Sequence, residues 1–252
     1  MRGGRRSHSG RRALLLLAAL ALACVLLFKC VFVVRHVEAN GSSNVSQEAI
    51  VRAARIRPGA SIFGVDEAAV RRGVDTLGTV ALEKLTLRYP DTVQLTVRER
   101  ERAAMTLFMG RIRILDGDGF VVEATDEAPN MDLIYVAGLQ MSSAEPGSVI
   151  GAGEAQLDAY RAIISAIRQN GAAGYVSQVN LDDTAALTLF TRRGITVQLG
   201  DAQSMDDKIA WMKSAVADLE QRGESGGTLD VSSASKADYR PAQTEVEVQT
   251  GE

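Results

Sequence analysis

Lys84 to Arg98 reads KLTLRYPDTVQLTVR. Leu85, Leu87 and Tyr89 alternate with Lys84, Thr86 and Arg88. After Pro90-Asp91, Val93, Leu95 and Val97 alternate with Gln94, Thr96 and Arg98. A period of two marks a half-buried strand, and Pro-Asp is a turn signal, so the stretch predicts two adjacent strands sharing one apolar face. That face needs a cover. Upstream, Ser46 is placed to cap a helix running to Ile56, with Glu48 at its positive dipole end and Ile50, Val51 and Ala54 as its apolar stripe. Arg57-Pro58-Gly59 breaks it. Asp66 caps a second helix, with Val65 and Val70 at the staple positions and Val70, Val74 and Leu77 at i, i+4, i+7. Phe32 to Glu38 is a β-prone run before an Asn40-Gly41 turn. Strand, helix, helix, strand, strand over about 65 residues predicts two helices on one face of a three-stranded mixed sheet.

Ala13 to Val34 precedes this module and reads ALLLLAALALACVLLFKCVFVV, with Lys29 its one charge. As a helix it would extend roughly 33 Å, enough to span a bilayer core. Arg2, Arg5, Arg6, Arg11 and Arg12 precede it and no acid does, so residues 1–12 are expected in the cytoplasm and the rest outside. A cleaved signal peptide is the competing reading. The apolar run is longer than such a core and no A-x-A site follows, which favours a retained anchor. Without a polar face, the run is not expected to be a buried globular helix.

The chain holds 28 Lys/Arg and 31 Asp/Glu. Seven of the basic residues and none of the acidic ones precede His36, which leaves 21 against 31 beyond, a net charge of −10. That balance is a poor footprint for nucleic acid. Cys24 and Cys30 are the only cysteines, both within the apolar run and too far apart on a helix to bridge. The exterior part must therefore rely on its core.

The second half is less regular. Arg111–Leu115 and Phe120–Glu123 flank Asp116-Gly117-Asp118-Gly119 and predict a hairpin. A calcium loop of the EF-hand type is excluded by Phe120 and Val121 at the fifth and sixth positions. Leu133–Val136 predicts a short strand, and Glu154–Gln169 a helix with Leu157, Ile164 and Ile167 inward. Gly151 and Gly153 lack the Gly-Lys-Ser/Thr of a phosphate loop. Tyr175–Leu181, Ala186–Thr191 and Ile195–Leu199 predict strands. Ser204 opens a helix bearing Ile209, Met212, Val216 and Leu219 and ending at Gly223, with Trp211 assigned to the core. Thr228–Ser232 is expected as the last strand, Leu229 and Val231 inward.

No catalytic set emerges. His36 is the only histidine beyond the apolar run, and no cysteine, His-Glu-x-x-His or Gly-x-Ser-x-Gly stands there. Asp182-Asp183 and Asp206-Asp207 fall in a loop and a helix start, where carboxylates stay solvated or offset the helix dipole. The expectation is a non-enzymatic protein with no cofactor, no metal and no small-molecule substrate.

The stretches VRHVEANG, VSQEAIVRAARIRPGASIFGVD and LRYPDTVQLTVRERERAA resemble the POTRA domain of the bacterial division proteins FtsQ and DivIB. ILDGDGFVVE, VNLDDTAALTLFTRRGITVQLGD, KIAWM and GGTLDVSSASKADYRP resemble the family's β domain. The likeness covers roughly residues 13–241 by pattern rather than by one motif. It implies a membrane-anchored α+β protein with a β-α-α-β-β POTRA module and then a mixed α/β "β domain" with antiparallel strands. The expected divisions are a basic segment over 1–12, an anchor over 13–34, POTRA over 35–100, the β domain over 101–241 and a disordered tail over 242–252. The resemblance further implies a scaffold at the division septum, anchored in the plasma membrane. Its partners would be FtsB/DivIC-like and FtsL-like single-pass proteins, and its role would be to help control septal peptidoglycan synthesis. A membrane-tethered envelope hydrolase and another POTRA-bearing secretion or assembly accessory are the alternatives. The first lacks a catalytic set, and the second lacks the downstream β-barrel.

A terminal strand with open backbone groups invites strand addition, and the family's closing strand receives the FtsB-like partner. The expected partner site is therefore Thr228, Leu229, Asp230, Val231, Ser232 and Ser233, with Tyr239 as an apolar lid. The competing arrangement has Ala234 to Pro241 folding back to close that edge.

Overall fold

The computed structural model of the chain describes residues 15–22, 30–127, 129 and 133–242. They divide into two compact units between Glu99 and Arg100. Of the expected anchor, residues 15–22 and 30–31 are helical; residues 13, 14 and 23–29, with the whole basic segment 1–12, lie outside the described residues. Among the described residues no helix is long and apolar enough to cross a membrane. The tail beyond Ala242 also lies outside them.

The first unit runs β1 (His36–Asn40), α1 (Gln47–Ala54), α2 (Glu67–Asp75), β2 (Val80–Arg88) and β3 (Thr92–Glu99). The sheet order is β1-β3-β2, with β1 parallel and β2 antiparallel to β3. This is the mixed sheet the sequence predicts. Val93, Leu95 and Val97 are all buried, packed with Ile50, Ala54, Val70 and Val74 from the helices. Both caps form: Ser46 accepts from Ala49 N–H and Asp66 from Ala68 N–H. Gly73 has its place because a Cβ there would lie 2.2 Å from the Ala53 carbonyl oxygen, so α1 and α2 meet backbone to backbone. Strand β2 begins earlier than alternation suggests. Val80, Ala81 and Leu82 are buried in succession, and a bulge between Leu82 and Lys84 shifts the register. The expected run Phe32–Glu38 is a strand only from His36.

The end of β3 fixes the entry to α1. The Glu99 carboxylate accepts from Ser42 Oγ at 2.8 Å, from the backbone of Ser43 at 2.9 Å and Asn44 at 3.0 Å, and from Asn44 Nδ2 at 2.9 Å.

The second unit runs β4 (Ala104–Phe108), β5 (Arg111–Leu115), β6 (Val121–Thr125), β7 (Ile134–Ala137), α3 (Glu154–Gln169), β8 (Val176–Asn180), β9 (Leu187–Thr191), β10 (Thr196–Gly200), α4 (Met205–Gln221), β11 (Thr228–Asp230) and β12 (Asp238–Arg240). Its nine strands form one sheet, β12-β11-β10-β9-β8-β7-β4-β5-β6. β7 and β8 are parallel across α3, and β10 and β11 are parallel across α4. Both crossovers step in the same direction along the sheet, so right-handedness puts both helices on one face. There they pack together, Lys213 Nζ donating to the Asn170 carbonyl at 2.6 Å. Between helices and sheet lies a core that includes Leu187, Leu189, Val197, Leu199, Ile163, Ile167, Ile209 and Met212.

The Asp116-Gly-Asp-Gly turn is pinned from within. Asp116 is 4% exposed. It accepts from Arg100 at 2.6 Å and from the N–H groups of Asp118 and Phe120, while its carbonyl accepts from Tyr160 Oη at 2.6 Å. Burial pushes the Tyr160 phenol far up. The Arg100 guanidinium also stacks on Phe120 at 3.4 Å.

One expectation is corrected here. Trp211 is 43% exposed, not core, because it stands on the α4 face opposite Ile209, Met212 and Val216. Ser204 opens α4 as expected, with a left-handed backbone and no side-chain cap bond. The loop before α4 is instead held by buried Lys208, whose Nζ donates to Asp201 O at 2.8 Å and to its carboxylate at 2.9 Å.

Removing the Asp116 charge breaks a buried ion pair and weakens the bonds that its carboxylate makes to its own turn. Asp116→Asn is expected to destabilise the second unit by about 3–5 kcal/mol, and Asp126→Asn, at the exposed pair with Arg111, by about 0–1 kcal/mol. Urea unfolding of both variants checks the contrast.

The hydrogen bond from Ser42, then those from the Ser43 and Asn44 backbone, lower the Glu99 pKa to about 2. A depressed carboxyl contributes stability above its unfolded pKa of about 4.3 and loses it as pH falls through the folded value. The amide signals of Ser43 and Asn44 are therefore expected to hold steady from about pH 7 to 4 and to move only as pH approaches about 2. Glu99→Gln should abolish that titration. A midpoint near the usual glutamate value would show that the loop is not held this way.

Candidate partner-binding edge

The backbone of β11 alternates along its length. Gly227 C=O accepts from Thr196 N–H at 2.9 Å, and Val231 N–H donates to Gln198 C=O at 3.0 Å. Residues 227, 229 and 231 thus turn their backbone groups toward β10, so Thr228 and Asp230 turn theirs the other way. That side is occupied. β12 pairs antiparallel with β11, in the register Thr228↔Arg240, Leu229↔Tyr239 and Asp230↔Asp238. The expectation that Thr228–Ser232 is an open terminal strand is corrected: Lys236 to Arg240 folds back and closes it.

The sheet therefore ends at β12. Arg240 and Asp238 face β11, and the same alternation turns the Tyr239 N–H and C=O outward. Among the described residues no strand pairs the outer side of β12. The Tyr239 side chain keeps this strand in place. It lies opposite fully buried Leu229, packs against the core, and donates from Oη to the Gly226 carbonyl at 3.1 Å. Asp238 is exposed and paired with Lys236 Nζ at 2.5 Å.

The other predicted site residues support the turn rather than the edge. The Asp230 carboxylate accepts from Ser232 Oγ at 2.7 Å and its N–H at 2.9 Å, and these bonds lower the Asp230 pKa. Ser233 lies exposed in the turn. Val231 is buried, as expected, but its N–H serves the ladder to β10 and not an outside chain.

The opposite end of the sheet is managed differently. Val121 in β6 has both backbone groups filled by the chain itself: its N–H donates to Ser148 C=O and its C=O accepts from Gly147 N–H. Phe120 bridges to Val149 beside them. No such segment covers the outer side of Tyr239 among the described residues.

Sequence reasoning missed β12 because three residues, Asp-Tyr-Arg, show no alternation long enough to read. It missed β4 as well, although Ala104, Thr106 and Phe108 alternate with Met105 and Leu107. No chemical centre accompanies the edge. Among the described residues no group of three or more His, Cys, Asp or Glu is arranged to hold a metal ion. A groove of about 560 Å³ in the first unit, between the end of α1 and α2, is lined by Arg55, Arg57, Ser61, Asp66, Arg72, Thr76 and apolar neighbours.

Comparison with known proteins places this architecture. Residues 32–100 match the FtsQ-type POTRA domain, and residues 107–235 match the C-terminal domain of cell division protein FtsQ/DivIB. The chain is 28% identical over 221 residues to cell division protein FtsQ of Mycolicibacterium smegmatis, an alignment covering 88% of this chain and 61% of that protein. It is 22% identical over 202 residues to cell division protein DivIB of Clostridium botulinum, covering 80% of this chain and 78% of that one. The chain thus spans about three fifths of the mycobacterial relative. It belongs to the FtsQ/DivIB family.

Backbone orientation separates two proline substitutions. Val231→Pro deletes a ladder bond inside the sheet and is expected to destabilise the second unit by about 3 kcal/mol beyond Val231→Ala. Tyr239→Pro deletes an outward N–H and should melt within about 1 kcal/mol of Tyr239→Ala. Thermal unfolding of the four variants in the full chain tests the assignment. Equal penalties at both positions would contradict it.

Proposed function

We propose that this chain is a non-enzymatic, single-pass scaffold of the bacterial divisome. In this reading it binds FtsB/DivIC-like and FtsL-like proteins outside the membrane and helps control septal peptidoglycan synthesis. The observation that carries the partner site is the outward backbone of Tyr239 at the end of the nine-stranded sheet. A partner strand laid along β12 would be held by main-chain bonds, and the flanking side chains would select it. Of the predicted residues, Thr228, Leu229 and Asp230 form the strand behind that edge, Val231, Ser232 and Ser233 lead into the turn that follows it, and Tyr239 is the edge itself.

Family membership supports the division role, and the lack of a convergent acid, base and nucleophile in the sequence supports a scaffold over an enzyme. The location follows from the apolar run and the arginines before it. Along the helical stretch 15–22, Leu15, Leu16, Leu17, Leu20 and Leu22 are 60–71% exposed, a surface suited to acyl chains rather than water.

The test is co-purification of the full chain, in detergent, with the FtsB/DivIC-like and FtsL-like proteins of the same cell. Tyr239→Pro is expected to abolish capture. Tyr239→Ala, which keeps the N–H, should retain it with an affinity loss of about tenfold or less. Undiminished capture by a folded Tyr239→Pro protein would move the site off this edge.

A further inference from the structure

The other exposed surface with a definite chemistry is aromatic, in the first unit. Phe32, Phe63 and Tyr89 come from three separate places in the sequence and meet in one cluster. The ring centroids of Phe63 and Tyr89 lie 5.3 Å apart and stacked, those of Phe32 and Phe63 5.5 Å apart, and those of Phe32 and Tyr89 6.1 Å apart. Stacking of this kind would ordinarily bury the rings. Here Phe63 is 51% and Tyr89 58% exposed.

Chain continuity says what faces them. The apolar run ends in a helix at Val31, which is itself exposed, and Phe32 is the next residue. No free linker follows. Phe32 C=O accepts from Ile62 N–H at 3.1 Å, Val34 N–H donates to Ala60 C=O at 2.8 Å, and Gly59 N–H donates to Val34 C=O at 2.8 Å. Val33 bridges to Ser61. The end of the run is thus fastened to the segment that carries Phe63. Arg35 N–H and His36 N–H both donate to Asp91 C=O, which fastens it to the turn beside Tyr89 as well.

Polar groups border the same end of the sheet. The register sets His36, Thr92 and Arg88 side by side across β1, β3 and β2, with Arg35 next in sequence and Asp91 the one acid at the turn. Aromatic rings beside cationic side chains suit the headgroup zone of a bilayer, where the Phe rings can meet acyl chains and the Tyr89 hydroxyl can stay hydrated.

We infer that Phe32, Phe63 and Tyr89 form an interfacial aromatic anchor that seats the first unit on the lipid surface of the membrane that residues 13–34 enter. The inference rests on reading that run as a membrane anchor. Phe32 belongs to the run and, through its hydrogen bond from Ile62, to the module as well, so no free linker separates the end of the run from the module.

The test uses the full chain in vesicles of zwitterionic and anionic phospholipid containing acyl-brominated lipid. The background is Trp211→Phe, so that each added tryptophan reports alone. Phe63→Trp and, separately, Tyr89→Trp are each expected to lose about half their emission to brominated lipid, as does a reporter at Leu20→Trp within the apolar run. Quenching at Leu20→Trp with none at Phe63→Trp or Tyr89→Trp overturns the inference and leaves the anchor standing. Quenching at none of the three overturns the anchor reading and the inference together. Quenching at Phe63→Trp and Tyr89→Trp but not at Leu20→Trp upholds surface seating and overturns the anchor.

Discussion

Backbone hydrogen bonding is the constraint from which the second unit follows. A nine-stranded open sheet satisfies every interior strand and leaves one row of donors and acceptors at each end. At β6 the chain fills the Val121 position with its own Gly147–Ser148 segment. At β12 it places three residues, two of them turned inward to β11 and one turned out. The helices do not compete for that edge, because the two right-handed crossovers stack α3 and α4 on one face. Among the described residues no strand pairs the outer edge of β12.

Electrostatics divide the ion pairs into those that hold structure and those that do not. The side chains of Arg100 and Asp116 are 8% and 6% exposed, and Asp116 spends its remaining lone pairs on the turn it belongs to. Pairing and turn geometry are therefore coupled. Displacing Arg100 loosens the Gly117–Gly119 turn, and with it the Phe120 ring on which Arg100 stacks. Arg111–Asp126 and Arg168–Glu101 lie in water and fix little. Lys208 is the intermediate case. Its ammonium is 3% exposed while its partner Asp201 is 61% exposed, so a single buried cation orders a surface loop.

Much of this was legible in the sequence, for local reasons. Ser46 and Asp66 cap their helices because capping needs only neighbouring residues. Val93, Leu95 and Val97 alternate because β3 is the middle strand and packs along its whole length. Helix Glu154–Gln169 has the predicted bounds because its stripe is long and ends in Asn170-Gly171. What was not legible depends on distant partners. Val80–Leu82 reads as no alternation because a bulge interrupts it. Trp211 looks like core by residue type, and only the helix packing shows its face to be outward. β12 exists because Gly226 and Gly227, both at positive φ, bring Thr228 into line with Arg240, a pairing no window of the sequence contains.

The shortness of β12 bears on how such an edge could serve a specific partner without gathering wrong ones. A long, flat, apolar edge accepts any extended chain. Here the strand offers one outward residue. The charged side chains of Asp238 and Arg240 flank it, and Pro241 follows, with no N–H to extend the ladder. Main-chain bonds to Tyr239 alone would supply too little to hold a chain whose ordering entropy must be overcome. A bound strand must therefore gain the rest from side chains that suit an Asp-Tyr-Arg surface, with an acid to meet Arg240 and a base to meet Asp238. Lys236 already engages Asp238, so an incoming base would have to displace an existing ion pair. In the proposed complex the charge pattern would discriminate among candidate strands more than the backbone does, and the backbone would fix their register.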